Sequence, residues 1–263
     1  MEQSRDRKSD IAAFTSYVYV ILGADRQPEW IPDGPQDQEI AAYQKLLRQW
    51  IDHILPILRH VLPSLLKEID PLMTTCIDML EQPGSLVAES LILEKLEPIK
   101  SGVGRMAEKA EQMKSAFQAM HKGILESHVG ARRVFASVNR RCMTGMSKSE
   151  REREFRTQRS ARDLLRRGFV HSNKELSTQT GRQRTQIQSR ARLISAANAI
   201  SSQSGEVLQQ LSELAILVET ARSRLISVSD GLRHVDTGND FRTVSAGELR
   251  LVWRQLTKNM SRL

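Results

Sequence analysis

The sequence predicts an all-α protein, an elongated helical bundle built around a long antiparallel coiled-coil hairpin. Two observations predict it: heptad repeats of apolar residues run through two long stretches, and the composition favours helices. Aromatic residues are only 5% of the 263 residues, with 14 Gly and 8 Pro, whereas strand-rich folds need aromatic and β-branched residues and many turns. We expect one elongated helical domain over residues 1–263.

The N-terminal part, residues 1–37, is predicted to contain one helix and a loop. The helix is expected from about Ser9 to Leu22, with Ser9 or Asp10 as its N-cap. The stretch 23–37 contains three prolines, which predicts a loop because proline and glycine interrupt regular structure.

A kinked helix is predicted over residues 38–82. Its apolar residues recur every three or four positions, which places them on one helical face. Pro56, Pro63 and Pro71 each remove a backbone donor and crowd the preceding turn, so kinks or short breaks are expected there. The predicted buried face consists of Ile40, Tyr43, Leu47, Trp50, Ile54, Leu58, Val61, Leu65, Ile69, Leu72, Cys76 and Met79.

The clearest element is a long helix over residues 85–147. Its apolar residues alternate steps of four and three, which is the 3.5-residue repeat of a left-handed coiled coil. The repeat comprises Ile92, Leu96, Ile99, Val103, Met106, Ala110, Met113, Phe117, Met120 and Ile124, continued by Ser127, Ala131, Val134 and Val138.

A second long helix with the same repeat is predicted over residues 193–235, and an amphipathic helix over 244–263 ends the chain. Two matching repeats most simply pack on each other, so residues near 92–138 are expected to lie antiparallel to residues near 193–235. The second repeat comprises Leu193, Ala197, Ile200, Val207, Leu211, Leu214, Val218, Ala221, Leu225, Val228, Leu232 and Val235. The last helix carries Leu249, Val252, Trp253, Leu256, Met260 and Leu263.

Positive charge is concentrated between the two long helices, in the predicted connecting segment 148–192 and just before it. The chain has a net charge of +8, but residues 132–192 hold 17 Lys and Arg against 5 Asp and Glu, a net charge of +12. Such a segment suits an anionic membrane surface, nucleic acid or simply solvent. Few aromatic residues accompany it, which makes base stacking the weaker interpretation. The candidate contact residues are Arg132, Arg133, Arg140, Arg141, Arg151, Arg153, Arg156, Arg159, Arg162, Arg166 and Arg167.

The most apolar run of the chain, Ile11–Leu22, has twelve residues without a charge. It is too short for a transmembrane helix, and its mixed-charge flank does not suit a signal peptide. These patterns leave the cellular compartment of the protein undetermined. One expectation is a cytoplasmic protein that is later released. We treat the run as a candidate membrane-insertion segment through Ile11, Phe14, Tyr17, Val18, Val20, Ile21 and Leu22.

No catalytic, cofactor or metal motif is predicted, and a non-enzymatic protein is expected. His53 and His60 are seven residues apart, as are His121 and His128, whereas helical zinc ligands are usually four apart. The two cysteines, Cys76 and Cys142, are expected to be buried thiols, with a single disulfide as the alternative.

The two heptad repeats are followed by the pattern Leu225-x2-Val228-Ser229-x2-Leu232-x2-Val235-Asp236 and then by Leu249-x2-Val252-Trp253-x2-Leu256-x3-Met260. In this order of elements, residues 38–263 resemble the α-helical pore-forming toxins of the cytolysin A and xenorhabdolysin type. The resemblance implies an elongated bundle with two very long helices and a membrane-contacting head. In this chain an Arg-rich segment, rather than an apolar tongue, lies between the long helices.

Three functions are therefore carried forward from the sequence. The first is a membrane-active protein of pore-forming-toxin type, which would bind an anionic membrane surface and work as a homo- or hetero-oligomer. The second is a coiled-coil scaffold that binds a protein partner. The third, less favoured, is a basic helical protein that binds nucleic acid.

Overall fold

The computed structural model describes residues 8–23, 36–82, 87–144, 182–234 and 239–261. All of the elements in these ranges are helical, which confirms the predicted all-α class. The α-helices are α1 (Lys8–Leu22), α2 (Gln36–Gln49), α3 (Leu62–Glu81), α4 (Glu89–Thr144), α5 (Arg182–Arg233) and α6 (Asn239–Met260), with π-helical turns at Trp50–Ile54 and Ile57–Val61.

The chain divides into two compact units, each made of two stretches of sequence. Unit 1 comprises Met1–Asp52 and Gln118–Val207, and unit 2 comprises His53–Phe117 and Leu208–Leu263. Each unit therefore takes one part of α4 and one part of α5. The single-domain organisation expected from the sequence stays a prediction.

The long helices α4 and α5 pair antiparallel. In unit 2, Glu97 contacts Arg233 at 3.5 Å, and Lys100 donates to the Ser229 hydroxyl at 3.3 Å. A later residue of α4 therefore contacts an earlier residue of α5, as antiparallel helices require. In unit 1, the His121 imidazole lies 2.9 Å from the Ser204 hydroxyl.

Both predicted heptad repeats are buried. On α4, the members from Ile92 to Ile124, together with Ala131 and Val134, are at most 4% exposed, while Ser127 is half-buried. On α5, the members from Leu193 to Leu232 are likewise at most 4% exposed. The side chain of Val138 and all of Val235 lie outside the described residues. Apolar burial along one continuous stripe of each helix is the main stabilising contribution here.

Most of the predicted buried face of this stretch is confirmed, since Tyr43, Leu47, Trp50, Ile54, Leu58, Ile69 and Cys76 are at most 3% exposed. At three positions the neighbouring residue is buried instead. Leu62, Met73 and Leu80 are at most 1% exposed, whereas their predicted neighbours Val61 and Met79 are half-buried and Leu72 is 39% exposed. Leu65, also predicted on the buried face, is half-buried as well. The two π-helical turns explain the shift, because each holds one more residue per turn than an α-helix and so rotates the following residues around the axis.

The prolines of this stretch have different effects. Pro56 lies between the two π-helical turns, and Pro63 is the second residue of α3, which directly follows the second of these turns. Pro71 lies inside α3 without ending it, so the helix has no break there. Pro71 and Lys67 are both exposed, so water can hydrate the Lys67 carbonyl that a proline four residues later leaves without a donor.

Helix α6 packs on α3 within unit 2. The Trp253 indole donates to Asp70 at 2.7 Å, and the Arg250 guanidinium donates to Glu81 at 2.9 Å. The buried Arg242 donates to the carbonyls of Met79 at 3.1 Å and Val87 at 3.2 Å, and thereby holds the end of α3 against the residues that precede α4.

Two helices begin earlier than predicted. Helix α6 begins at Asn239 rather than at 244, and α5 begins at Arg182 rather than at 193. Residues 182–192, which were expected in the basic connecting segment, therefore belong to α5, and their Arg and Gln residues are good helix formers.

Two glycines of α4 provide a matched test of the packing in unit 2. A Cβ at Gly102 would lie 2.7 Å from Cγ1 of the buried Ile69, whereas a Cβ at Gly104 would meet no atom within 4 Å. Alanine in place of helical glycine stabilises by about 1 kcal/mol where there is room, and overpacking costs about 1–3 kcal/mol.

We therefore expect Gly104→Ala to raise the free energy of unfolding and Gly102→Ala to lower it. Urea titration followed by circular dichroism measures both changes. An equal increase in the two variants would contradict the close approach of α4 to Ile69.

Candidate membrane-contact elements

Helix α1 buries most of the candidate insertion segment. Ile11, Phe14, Tyr17, Val18 and Ile21 are at most 5% exposed. The two remaining members of the segment, Val20 and Leu22, are half-buried. Tyr19 is 54% exposed on the opposite side of the helix. The apolar face of α1 is thus covered by protein, and α2 is a helix on which it packs.

A hydrogen-bond chain joins the middle of α1 to Trp50, the first residue of the first π-helical turn. The Trp50 indole donates to the Thr15 hydroxyl at 3.1 Å, and this hydroxyl donates to the Ile11 carbonyl at 2.6 Å. The ring of Phe14 meets the ring of Trp50 edge-on, with centroids 5.1 Å apart. Such aromatic pairs add about 0.5–1.5 kcal/mol to the burial of their area.

The last turn of α1 is held separately. The Gln44 side chain, 5% exposed on α2, donates to the Ile21 carbonyl at 3.1 Å. Carbonyls in the last turn of a helix have no partner inside the helix, so Gln44 satisfies one that would otherwise be buried without a donor. The hydrogen bonds of α1 with Trp50 and Gln44 were not predicted from the sequence. The available signal was the position of two polar residues among apolar ones, Thr15 within residues 11–22 and Gln44 beside Tyr43 of the predicted buried face.

Two tyrosines of this region stay neutral. Burial raises the pKa of Tyr17 and Tyr43 above the ordinary value of a phenol because the charged form is poorly solvated in an apolar environment. The contact between α1 and α2 therefore gains no charge from these side chains at neutral pH.

The basic candidates are only partly described. Arg133 is exposed on α4, three residues beyond Gly130. A Cβ at Gly130 would lie 2.8 Å from the Glu39 carboxylate of α2, so this part of α4 lies beside the start of α2. Arg132, Arg140 and Arg141 belong to α4, but their side chains lie outside the described residues. Arg151, Arg153, Arg156, Arg159, Arg162, Arg166 and Arg167 also lie outside them.

Unit 1 therefore contains α1 together with the arginines at the end of α4. The two kinds of candidate, an apolar helix and a basic stretch, belong to the same compact unit. Within the described ranges, no helix is both long and apolar enough to cross a membrane.

The buried cysteine of the described residues, Cys76, packs in the apolar interior. Burial raises the pKa of the Cys76 thiol to about 11, which keeps it protonated and poorly nucleophilic at neutral pH. No group of three or more His, Cys, Asp or Glu in the described part of the chain is placed to hold a metal ion. The side chain of Cys142 lies outside the description.

The fold is similar to that of several pore-forming toxin components. AhlB of the tripartite α-pore-forming toxin of Aeromonas hydrophila matches with a TM-score of 0.59 and 8% identity over 97% of this chain and 90% of AhlB. SmhB of the tripartite toxin Smh of Serratia marcescens matches at 0.54 and 10% identity over 98% and 89%. The Bacillus cereus HblL1 toxin component matches at 0.51 and 10% identity over 97% and 95%.

No family model and no curated protein matches the sequence. At these identities the structural comparisons establish the fold alone, a helical bundle of the kind found in these toxin components. They confirm the resemblance drawn from the two heptad repeats and the C-terminal pattern.

Proposed function

We propose that this protein is a non-enzymatic, membrane-active component of a pore-forming toxin that works with copies of itself or with a second component. The similarity of its fold to AhlB over nearly the whole of both chains carries the proposal. AhlB and SmhB belong to tripartite toxins, which supports a hetero-oligomer in particular.

In this proposal α1 is the element that enters the membrane. Its uncharged residues 11–22 would form a helix about 18 Å long, enough for one leaflet but not for a hydrocarbon core of about 30 Å. The apolar face of α1 is buried, so α1 must first leave α2. This step breaks the hydrogen bond between Thr15 and Trp50 and the one between Ile21 and Gln44. The arginines of the basic segment would supply the attraction to anionic headgroups.

Dye release from lipid vesicles tests the function. We expect release from vesicles that contain anionic phosphatidylserine, alone or after addition of proteins encoded beside this one, and little release from neutral phosphatidylcholine vesicles. Absence of both binding and release under all of these conditions would remove the toxin proposal and leave the coiled-coil scaffold as the better explanation of the fold.

A charge on the exposed side of α1 tests its role within the same assay. Tyr19→Asp should leave the folded protein intact because Tyr19 is 54% exposed. An ionised Asp in the hydrocarbon core costs about 2.5–3.5 kcal/mol at the centre of the bilayer, so dye release should fall by about tenfold or more. Ser101→Asp, at an exposed position of α4 in unit 2, is the matched control. Equal release by the two folded variants would exclude insertion of α1.

A further inference from the structure

An open cleft of about 630 Å³ lies between α4 and α5 within unit 2. Ala107 and Ala215, 8% and 6% exposed, form its apolar floor. Polar side chains form its rims, and the charged ones are Glu108 and Glu111 on α4 and Glu219 and Arg222 on α5. The lining residues thus bring three carboxylates against one guanidinium, and we call the site the acidic cleft. Two lysines lie at its edge, where Lys114 contacts Glu111 and Lys109 donates to Gln112.

The carboxylates of the acidic cleft are available to an incoming cation. Glu111 contacts Lys114 at 2.7 Å and Glu219 contacts Arg222 at 3.4 Å, each pair on one helix with both carboxylates more than half exposed. Exposed pairs of this kind contribute about 0.3–0.5 kcal/mol, so a ligand with several cations can replace them. Glu108 forms no ion pair with another described residue.

One end of the acidic cleft is apolar and open. Ile226 follows Arg222 by one turn on the same face of α5 and is 41% exposed. On α4, Gly104 precedes Glu108 by one turn, and a Cβ there would meet no atom within 4 Å. The Lys100–Ser229 hydrogen bond places these two positions at a similar level along the helices. A ligand for the cleft should therefore combine several positive charges with an apolar side chain.

We propose that the acidic cleft binds residues 155–170 of a second copy of this chain. This stretch, which lies outside the described residues, contains five Arg and one Asp together with Phe155, Leu164, Leu165 and Phe169. The stretch therefore has a net charge of +4 and four large apolar side chains, which is the combination expected of a ligand for the cleft. Charge complementarity argues for this occupant because the positive excess of the chain is concentrated in residues 132–192.

Such a contact joins two different surfaces of the same chain, so each copy keeps one free cleft and one free basic stretch. Contacts of this heterologous type close into rings or continue as open chains of copies. The association forms in solution without lipid and goes beyond the proposed membrane function. Arginines 156, 159 and 162 would exchange the cleft for anionic headgroups when a membrane is present.

Binding of a labelled synthetic peptide of residues 155–170 to the full-length protein tests the contact directly. Fluorescence anisotropy should show binding that weakens strongly between about 0.1 M and 1 M salt, as the screening length falls from about 10 Å to about 3 Å. A peptide with its five Arg replaced by Gln should bind about tenfold less tightly or worse. Equal binding of the two peptides would overturn the proposal.

The cleft variant Glu108→Gln/Glu111→Gln/Glu219→Gln tests the other surface. It should weaken peptide binding by about tenfold or more and abolish lipid-free self-association in sedimentation velocity. The control Glu94→Gln/Glu206→Gln/Asp230→Asn changes the net charge equally at exposed positions outside the cleft and should retain both. Circular dichroism checks that both variants are folded.

The two proposals fail in distinguishable ways. The cleft variant should still release dye from phosphatidylserine vesicles if the membrane proposal holds, whereas the loss of self-association concerns the cleft alone. If the cleft variant binds the peptide and self-associates as the control does, the acidic cleft is not the binding site for the basic stretch.

Discussion

The double substitution Val218→Asp/Leu225→Asp is expected to unfold the protein. Both side chains are fully buried in the heptad repeat of α5 within unit 2, and each Asp would place a carboxylate in an apolar interior. An uncompensated buried charge costs about 3–5 kcal/mol, whereas a whole domain is stable by about 5–15 kcal/mol. Circular dichroism at 222 nm and a thermal melt provide the measurement.

Helix α5 offers a closely matched control for this substitution. Ile216 is 63% exposed and Ser223 is exposed, and they are seven residues apart, as Val218 and Leu225 are. Ile216→Asp/Ser223→Asp adds the same charge to the same turns on the solvent side and should keep the parental helicity and melting temperature. A buried-site variant that melts like this control would remove the heptad repeat from the account of the fold.

Replacing Arg151, Arg153, Arg156, Arg159 and Arg162 by Gln is expected to abolish binding to anionic vesicles. Each basic residue near such a surface contributes about 1 kcal/mol, so five together outweigh the few apolar side chains of this segment. The fold should persist because Gln is nearly as good a helix former as Arg. Sedimentation with phosphatidylserine vesicles measures binding of the parent and the variant, and the same assay with DNA identifies a nucleic-acid partner instead.

The control for this variant removes five positive charges elsewhere. Arg59, Lys67, Lys95, Lys109 and Arg254 are all exposed in unit 2, and their replacement by Gln should leave vesicle binding nearly unchanged. If both variants lose binding equally, net charge alone is responsible. If the Arg variant is folded and binds as well as the parent, these arginines only face solvent.

The sequence was sufficient for the long helices but not for α3. Along α4 and α5, the steps of four and three persist over many turns, so one stripe is favoured for burial even where other apolar residues, such as Ile216 and Ile226, lie beside it. At the start of α3 and within it, apolar residues come as adjacent pairs, such as Val61–Leu62 and Leu72–Met73, and either member satisfies the periodicity. The π-helical turns that precede α3 rotate the following residues around the axis, which changes the member of a pair that faces the core. Apolar periodicity alone does not predict where a π-helical turn occurs.

The candidate site was predictable to a similar degree. The absence of charge over residues 11–22 identified α1, because a run of that kind is buried in protein or in lipid. The bonds that hold it were not predictable, since they join Thr15 to Trp50 and Gln44 to Ile21 across more than twenty residues of sequence. Local patterns carry no information about which distant donor meets a given acceptor.

The indoles described above also make each unit separately observable. Trp50 lies in unit 1 with its N–H on Thr15, and Trp253 lies in unit 2 with its N–H on Asp70. Indole emission shifts to longer wavelength when the ring enters water, so departure of α1 from Trp50 has an optical signature of its own. The variant Trp30→Phe/Trp253→Phe keeps Trp50 as its sole tryptophan. Its fluorescence therefore reports when α1 separates from Trp50, without an added label.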